Sequence, residues 1–232
     1  LAAVNVGYTA GIETSQVSHQ WIQSANEMDR IIVISKHAKT TFDGTTYEGV
    51  NEDTQERVLL QTTVPIEPIS YPVKTYDSIE PIELNLKHDF NFLTVAQWGP
   101  RKNMGNTLRW FAEEFKDDAV GLVVKTNMAK NCIMDRELLE IKIKEVLDAY
   151  PDLKCSIYLL HGDMTDEEMH ALYAHPKINA LVALTHGEGF GLPLYEAAYT
   201  GIPVIAAGWS GHRDFLLDED GKEHFYNVAY DL

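Results

Sequence analysis

The stretch His186-Gly-Glu-Gly-Phe-Gly-Leu-Pro-Leu-Tyr-Glu196, continuing through Ala197 to Ile205, constrains the fold of this chain more than any other. It follows an apolar run, Ile178 to Leu184, that reads as a buried strand. Gly187, Gly189 and Gly191 let the backbone turn sharply and come close to a ligand. Pro193 suits the first turn of a helix, where its missing N–H costs nothing. Gly201 and Pro203 end that helix, and Val204-Ile-Ala-Ala starts the next strand.

A glycine loop that opens a helix is a natural anion site. The first-turn amides lack partners, and the helix dipole favours negative charge there. Two carboxylates flank the loop, Glu188 within it and Glu196 about one turn into the helix. Carboxylates repel phosphate, so their targets are neutral hydroxyls such as a ribose diol or a sugar ring. An anion end beside a hydroxyl end describes a nucleotide sugar. A tight strand-to-helix connection with two solvated acids satisfies the same residues equally well.

Glu188, seven intervening residues and then Glu196, set in Gly-Glu-Gly-Phe-Gly-Leu-Pro…Glu-Ala-Ala…Gly-Ile-Pro-Val-Ile-Ala, resembles the signature of retaining family-4 glycosyltransferases of the GT-B fold. The resemblance implies that Glu188 lies by the donor sugar and diphosphate and that Glu196 binds the nucleotide ribose. It also implies that the backbone amides of Gly189, Phe190, Gly191 and Leu192 hold the phosphates.

With 232 residues the chain is one large domain or two small ones, and 45% hydrophobic content supports a real core. Its net charge is 19 − 35 = −16. Such a field disfavours nucleic acid and anionic membrane surfaces, and it requires a local basic cluster for any diphosphate ligand. Cys132 and Cys155 form no metal or redox spacing, which fits a reducing, cytoplasmic compartment. No apolar run approaches the ~20 residues that span a bilayer, and no signal peptide is visible. The chain opens on Leu1 in a strand-like run and stops in another at Phe225 to Leu232, so it reads as a piece of something longer.

Along the chain, Val4 to Tyr8 reads as a strand, Val17 to Met28 as a helix, Ile31 to Ile34 as a strand, and Ser35 as the cap of a helix to about Asp43. Gly44 to Asp53 reads as a polar surface segment. Val58 to Pro72, broken by Pro65, Pro68 and Pro72, reads as irregular extended structure, and Lys74 to Asp89 as a link or edge strand. From Asn91 the pattern alternates. Strands are expected at Asn91 to Ala96, Ala119 to Lys125, Ser156 to Leu160, Ile178 to Leu184 and from Val204. Helices are expected at Asn103 to Phe115, Asp135 to Ala149, Thr165 to Tyr173, from Pro193, and near Gly211 to Leu216. The long helix should pack Leu138, Leu139, Ile141 and Val146 into the core. Such alternation argues an α/β fold with a mainly parallel sheet, whose ligands lie at the carboxyl ends of the strands.

The same edge carries Gln97-Trp-Gly-Pro-Arg-Lys-Asn103. Arg101 and Lys102 would neutralise a diphosphate leaving group, Arg as a fork and Lys as a point charge. A solvated basic loop is the plain alternative. In the resembled family an Arg/Lys pair in the matching loop, with Gly99 alongside, faces the donor pyrophosphate; here the two stand closer together than in the commoner pattern. Lys125 either approaches the nucleotide or caps its strand. Leu160-His-Gly-Asp163 would face the base on that likeness, with His161, Gly162 or Met164 as lining. Ser210-Gly-His-Arg-Asp214 departs from the family's usual pattern and reads as a plain turn. No Asp-x-Asp triplet or His/Cys spacing indicates a metal.

Residues 1–35, with Gly7-Tyr-Thr-Ala-Gly-Ile-Glu-Thr14, Trp21 and Ile32-Val-Ile-Ser35, resemble the last third of the acceptor domain in the same enzymes. Glu13 would then contact acceptor or donor sugar; a helix-start acid is the alternative. The resemblance divides the chain into the end of an acceptor-side domain with a linker, residues 1–80, and a nucleotide-sugar domain, residues 81–232. It implies metal-independent, cofactor-free transfer from a nucleoside diphosphate sugar to a glycan, lipid or small-molecule hydroxyl. A sugar-nucleotide epimerase of the same fold and a silent sugar-nucleotide-binding module stay open. A dinucleotide oxidoreductase is disfavoured, because the loop after Asn91 to Ala96 lacks Gly-x-Gly-x-x-Gly.

Overall fold

A computed structural model describes residues 3–50, 55–76 and 78–231. They form two compact units: residues 1–73 with Gly187–Gly191 and Trp209–Phe215, and Lys74–His186 with Leu192–Gly208 and residues 216–232.

In the first unit, β1 (Val6–Thr9), β2 (Arg30–Val33) and β5 (Ile66–Pro68) form a parallel sheet in the order β1-β2-β5. Helices α1 (His19–Asn26) and α2 (Lys36–Gly44) flank it. Each has a serine cap: Ser18 accepts from Gln20 N and Ser35 from Ala38 N, satisfying first-turn donors. The core gathers Ile12, Val17, Ile22, Ile31, Val33 and Phe42. A hollow of about 360 Å³ lies by Tyr8, Trp21, Met28 and Phe42.

The structure adds strands to two segments here. The segment read as polar surface contains β3 (Thr46–Val50), which pairs antiparallel with β4 (Arg57–Gln61); residues 51–54 lie outside the described residues. The supposedly irregular stretch after Val58 supplies two ladder strands, β4 and β5. Pro68 closes β5 and so interrupts no ladder behind it.

In the second unit, six strands are all parallel: β6 (Asn91–Val95), β7 (Gly121–Lys125), β8 (Ser156–Leu160), β9 (Ile178–Ala183), β10 (Val204–Ala207) and β11 (Tyr226–Val228). Their order across the sheet is β11-β10-β9-β6-β7-β8. The chain winds outward from β6 through β7 to β8, then returns to the other side of β6 and winds outward again. That is the doubly wound order, with its reversal between β6 and β9. Central strands read as unbroken apolar runs because helices cover both faces. Helices α3 (Met104–Phe115), α4 (Ile133–Leu147), α5 (Asp166–Tyr173), α6 (Leu192–Thr200) and α7 (Arg213–Leu216, shared between the units) complete the chain. The expected capping box is present: Thr165 Oγ1 accepts from Glu168 N, and Glu168 Oε2 accepts from Thr165 N.

Helix α4 turns differently from expectation. Leu139 and Ile143 are buried and Val146 packs beside them, whereas Leu138 and Ile141 face solvent. The inward stripe begins at Asp135, which is also buried, and runs 135, 139, 143, 146 at helical spacing.

Candidate functional site

Strand order reverses between β6 and β9, the place where sheets of this kind bind ligands at the carboxyl ends of their strands, and the loops there are tied together. His186 N–H donates to Arg101 C=O at 2.9 Å, and Asn103 Nδ2 donates to Leu184 C=O at 3.1 Å. These bonds join the loop after β6 to the loop after β9 within the second unit. Trp98 N–H donates to Asn127 C=O at 2.7 Å, and Gln97 Nε2 to Met128 C=O at 2.7 Å, so the loop after β7 joins the same edge. Gly99, extended, starts a 3-10 turn over Pro100–Lys102, and Asn103 in the left-handed region (φ 54°) launches α3. That turn carries Arg101, which is exposed, and Lys102, which is half-buried. A hollow of about 420 Å³ beside them is lined by Trp98, Asn103, Arg109, Met128 and Lys142.

Lys125 ends β7 and its Nζ donates to Gly162 C=O at 2.5 Å. Burial lowers its pKa. The bond ties the end of β7 to Gly162, just after β8. His161 is buried and stands 4.0 Å from Asp135. Burial alone would raise the Asp135 carboxyl, but N–H groups of Ala129, Met128 and Lys130 donate to it and hold it below the usual range. Asp135 thus pins the loop that follows β7, a role with no sequence signal beyond an acid at the third position of a helix.

Glu196 lies on α6, with Tyr173 of α5 as its neighbour. Burial raises the Glu196 carboxyl above the usual glutamate range, against a lowering pull from the Tyr173 hydroxyl. The Tyr173 phenol is raised well above its ordinary value, by burial first and by the charge of Glu196 second. The Tyr173 hydroxyl has no partner of good hydrogen-bond geometry, so its bond to Glu196 is a poorly aligned one. Glu196 is exposed as a whole residue, so solvent screens part of this burial effect.

The glycine loop, Gly187–Gly191, belongs to the first unit, although His186 before it and Leu192 after it belong to the second. Glu188 is buried at 6% exposure, and both its backbone groups are held. Glu188 N–H donates to Ser210 Oγ at 3.0 Å, and Glu188 C=O accepts from Gly211 N–H at 2.8 Å. Gly189 C=O accepts from Ser35 Oγ at 2.6 Å. A side chain at Gly211 would collide with the Gly189 carbonyl, so this contact requires glycine. Gly191 takes φ +96°, a backbone state closed to most residues, just before α6 begins. Glu13 lies in the loop after β1, and its carbonyl closes over Gly187.

Ser210–Asp214, expected to be a plain turn, does more. Ser210 (φ 78°) and Gly211 grip Glu188, and Asp214 Oδ2 accepts from Lys36 N–H at 2.6 Å. Ser35, Ser210 and Asp214 are therefore site-building residues that sequence reading passed over. Among the described residues no group of three His, Cys, Asp or Glu is gathered as a metal site, and no helix is long and apolar enough to cross a membrane.

A family model described as glycosyl transferases group 1 matches residues 83–226. The chain belongs to that family. The family match takes in the loop after β6, the glycine loop and Glu196, as the sequence resemblance implied. Among curated relatives, the serotype-specific mannosyltransferase WbdA of Escherichia coli is 33% identical over 138 residues, covering 58% of this chain and 15% of the relative. The chain thus spans 14–15% of the length of the curated relatives it matches. Among solved structures, sucrose-phosphate synthase from Thermosynechococcus elongatus aligns with TM-score 0.63 and 16% identity over 93% of this chain and 53% of that one. A mutant of TarM from S. aureus, solved with Fondaparinux, alpha-GlcNAc-glycerol and UDP, gives TM-score 0.57 and 14% identity over 96% of this chain and 40% of that one. Identities this low speak for fold alone, and that fold is α/β of the GT-B type.

Proposed function

We propose that this group 1 chain carries the donor-binding part of a glycosyltransferase, moving a sugar from a nucleoside diphosphate sugar to an acceptor hydroxyl. The observation that carries the reading is the tie between the loops after β6 and β9 at the point where strand order reverses, in a member of this family. In the reaction the bond from the anomeric carbon to the diphosphate oxygen breaks. The acceptor oxygen bonds that carbon, and its proton leaves with the departing diphosphate. Arg101 and Lys102 stabilise the charge that develops on the leaving group, together with the amides of Gly189, Phe190, Gly191 and Leu192; Gly99 lets the backbone approach it. Glu196 takes the ribose hydroxyls. Glu188 positions the sugar and does not attack it; retention of the anomeric configuration then has the acceptor oxygen arrive on the face that the diphosphate leaves, where the diphosphate can take its proton. Glu13 contacts the sugar or acceptor, while Lys125 acts indirectly, by holding the edge of the β7 loop.

We further propose that no metal takes part, because cationic side chains on the loop after β6 supply positive charge, and that the enzyme works in the cytoplasm. The likeness to WbdA makes mannose the first sugar to test. The test is calorimetric titration of the full chain with GDP-, UDP- and ADP-sugars, with and without chelator. Saturable binding of one of them, unchanged by EDTA, is the expected result. Binding of none rejects the donor-site reading, and binding abolished by EDTA rejects the metal-free part alone.

A further inference from the structure

We propose that Ser35 is a positioning residue for donor diphosphate binding: its one hydroxyl proton fixes the peptide plane that presents the Phe190 amide. A serine hydroxyl has a single proton to give and lone pairs to receive with. Ser35 is buried at 1% exposure and uses both capacities. It accepts from Ala38 N–H at 3.1 Å, capping α2, and donates to Gly189 C=O at 2.6 Å. The carbonyl of Gly189 and the amide of Phe190 belong to one planar trans peptide, so they point in opposite directions. Holding that carbonyl on Ser35 therefore aims the Phe190 N–H away from α2.

The preceding peptide is fixed in the same manner. Glu188 C=O is held by Gly211 N–H, which turns the Gly189 N–H away from Gly211. Glu188 N–H, one plane earlier, is held by Ser210 Oγ. Successive planes of the loop are thus clamped from residues 154 and 22 positions distant in sequence. Amides set in advance towards an anion lose little reorganisation energy when it binds. The plane governed by Ser35 is the one that reaches the phosphate-facing amides, and glycine at 189 gives it no side chain to limit rotation. Losing the Ser35 proton removes that hydrogen bond from the plane, while the packing of Gly189 against Ala10, Ile12 and Gly211 remains.

This inference rests on the donor-site reading above, and the experiment separates the two. Full-chain Ser35→Ala and Ser35→Thr are titrated with UDP, GDP, ADP and their nucleosides, beside Ser18→Ala, which removes an N-cap from α1 and no loop bond. Loss of one net hydrogen bond corresponds to about 2- to 10-fold in affinity. Ser35→Ala should therefore weaken the preferred diphosphate by about that factor while leaving its nucleoside unchanged. Ser35→Thr, which keeps the hydroxyl, should restore the ratio, and Ser18→Ala should not move it. Equal losses for diphosphate and nucleoside, or no loss, would overturn the proposal while leaving the donor site standing. Wild-type protein that binds none of UDP, GDP and ADP would instead reject the donor site. A ligand-free measurement then still decides the role of Ser35. Hydrogen exchange of residues 188–191 should quicken in Ser35→Ala and recover in Ser35→Thr, and unchanged exchange would overturn it.

Discussion

The binding role proposed for Glu196 comes with an electrostatic cost that can be read separately. Burial raises its carboxyl above the usual range, so the folded chain holds that proton more tightly than the unfolded chain does. The sign follows: its contribution to stability is full below the unfolded pKa and is lost as pH rises through the folded one. Ionised Glu196 is therefore a stability cost at neutral pH. Glu196→Gln should raise the melting temperature at pH 7, and the gain should vanish below about pH 4. The same variant should weaken nucleotide binding by roughly 1–3 kcal/mol, because a charged acceptor is lost. A melting curve unaltered at both pH values would contradict the burial, and unchanged affinity would contradict the ribose role. Gly211→Ala makes a second residue-scale prediction. Its new Cβ would meet the Gly189 carbonyl, and overpacking of this kind costs about 1–3 kcal/mol, read by thermal unfolding. Glu188, Glu196 and the glycines were legible in sequence because their spacing is local. Ser35 and Ser210 were not, since a small hydroxyl carries no pattern and its partner lies far along the chain.

At the scale of elements, the loop after β6 does the electrostatic work proposed for the site. Arg101→Ala should weaken nucleoside diphosphate more than nucleoside; equal losses in parallel titrations would place Arg101 away from phosphate. The capping box of α5 predicts a stability effect alone. Thr165→Ala should cost ~1 kcal/mol in denaturant unfolding without altering the diphosphate-to-nucleoside ratio. The parallel strands β6 to β10 were legible because a buried strand between helices is a continuous apolar run. The β3–β4 hairpin was not. Val50, Val58 and Leu59 are exposed and Glu48 and Gly49 interrupt the run, so no burial-driven alternation marks either strand. In α4 Leu139 and Val146 were placed correctly, whereas Leu138 and Ile141 were assigned to the core in place of Ile143. A buried Asp135 stands where a hydrophobic residue would have set the register.

For the whole molecule, a net charge of −16 opposes any polyanion at long range. The donor binding proposed above therefore has to rest on short-range contacts. The doubly wound strand order was only partly legible: alternation shows that a sheet is parallel, whereas strand order comes from long-range pairing. The most direct test is hydrogen exchange on the full chain with and without saturating UDP, GDP or ADP, whichever binds. Slower exchange is predicted in residues 97–104 and 184–192, with the hairpin of residues 46–61 unaffected. Bound nucleotide that leaves both of those loops unprotected, and slows exchange elsewhere, would contradict a donor site at the β6–β9 reversal.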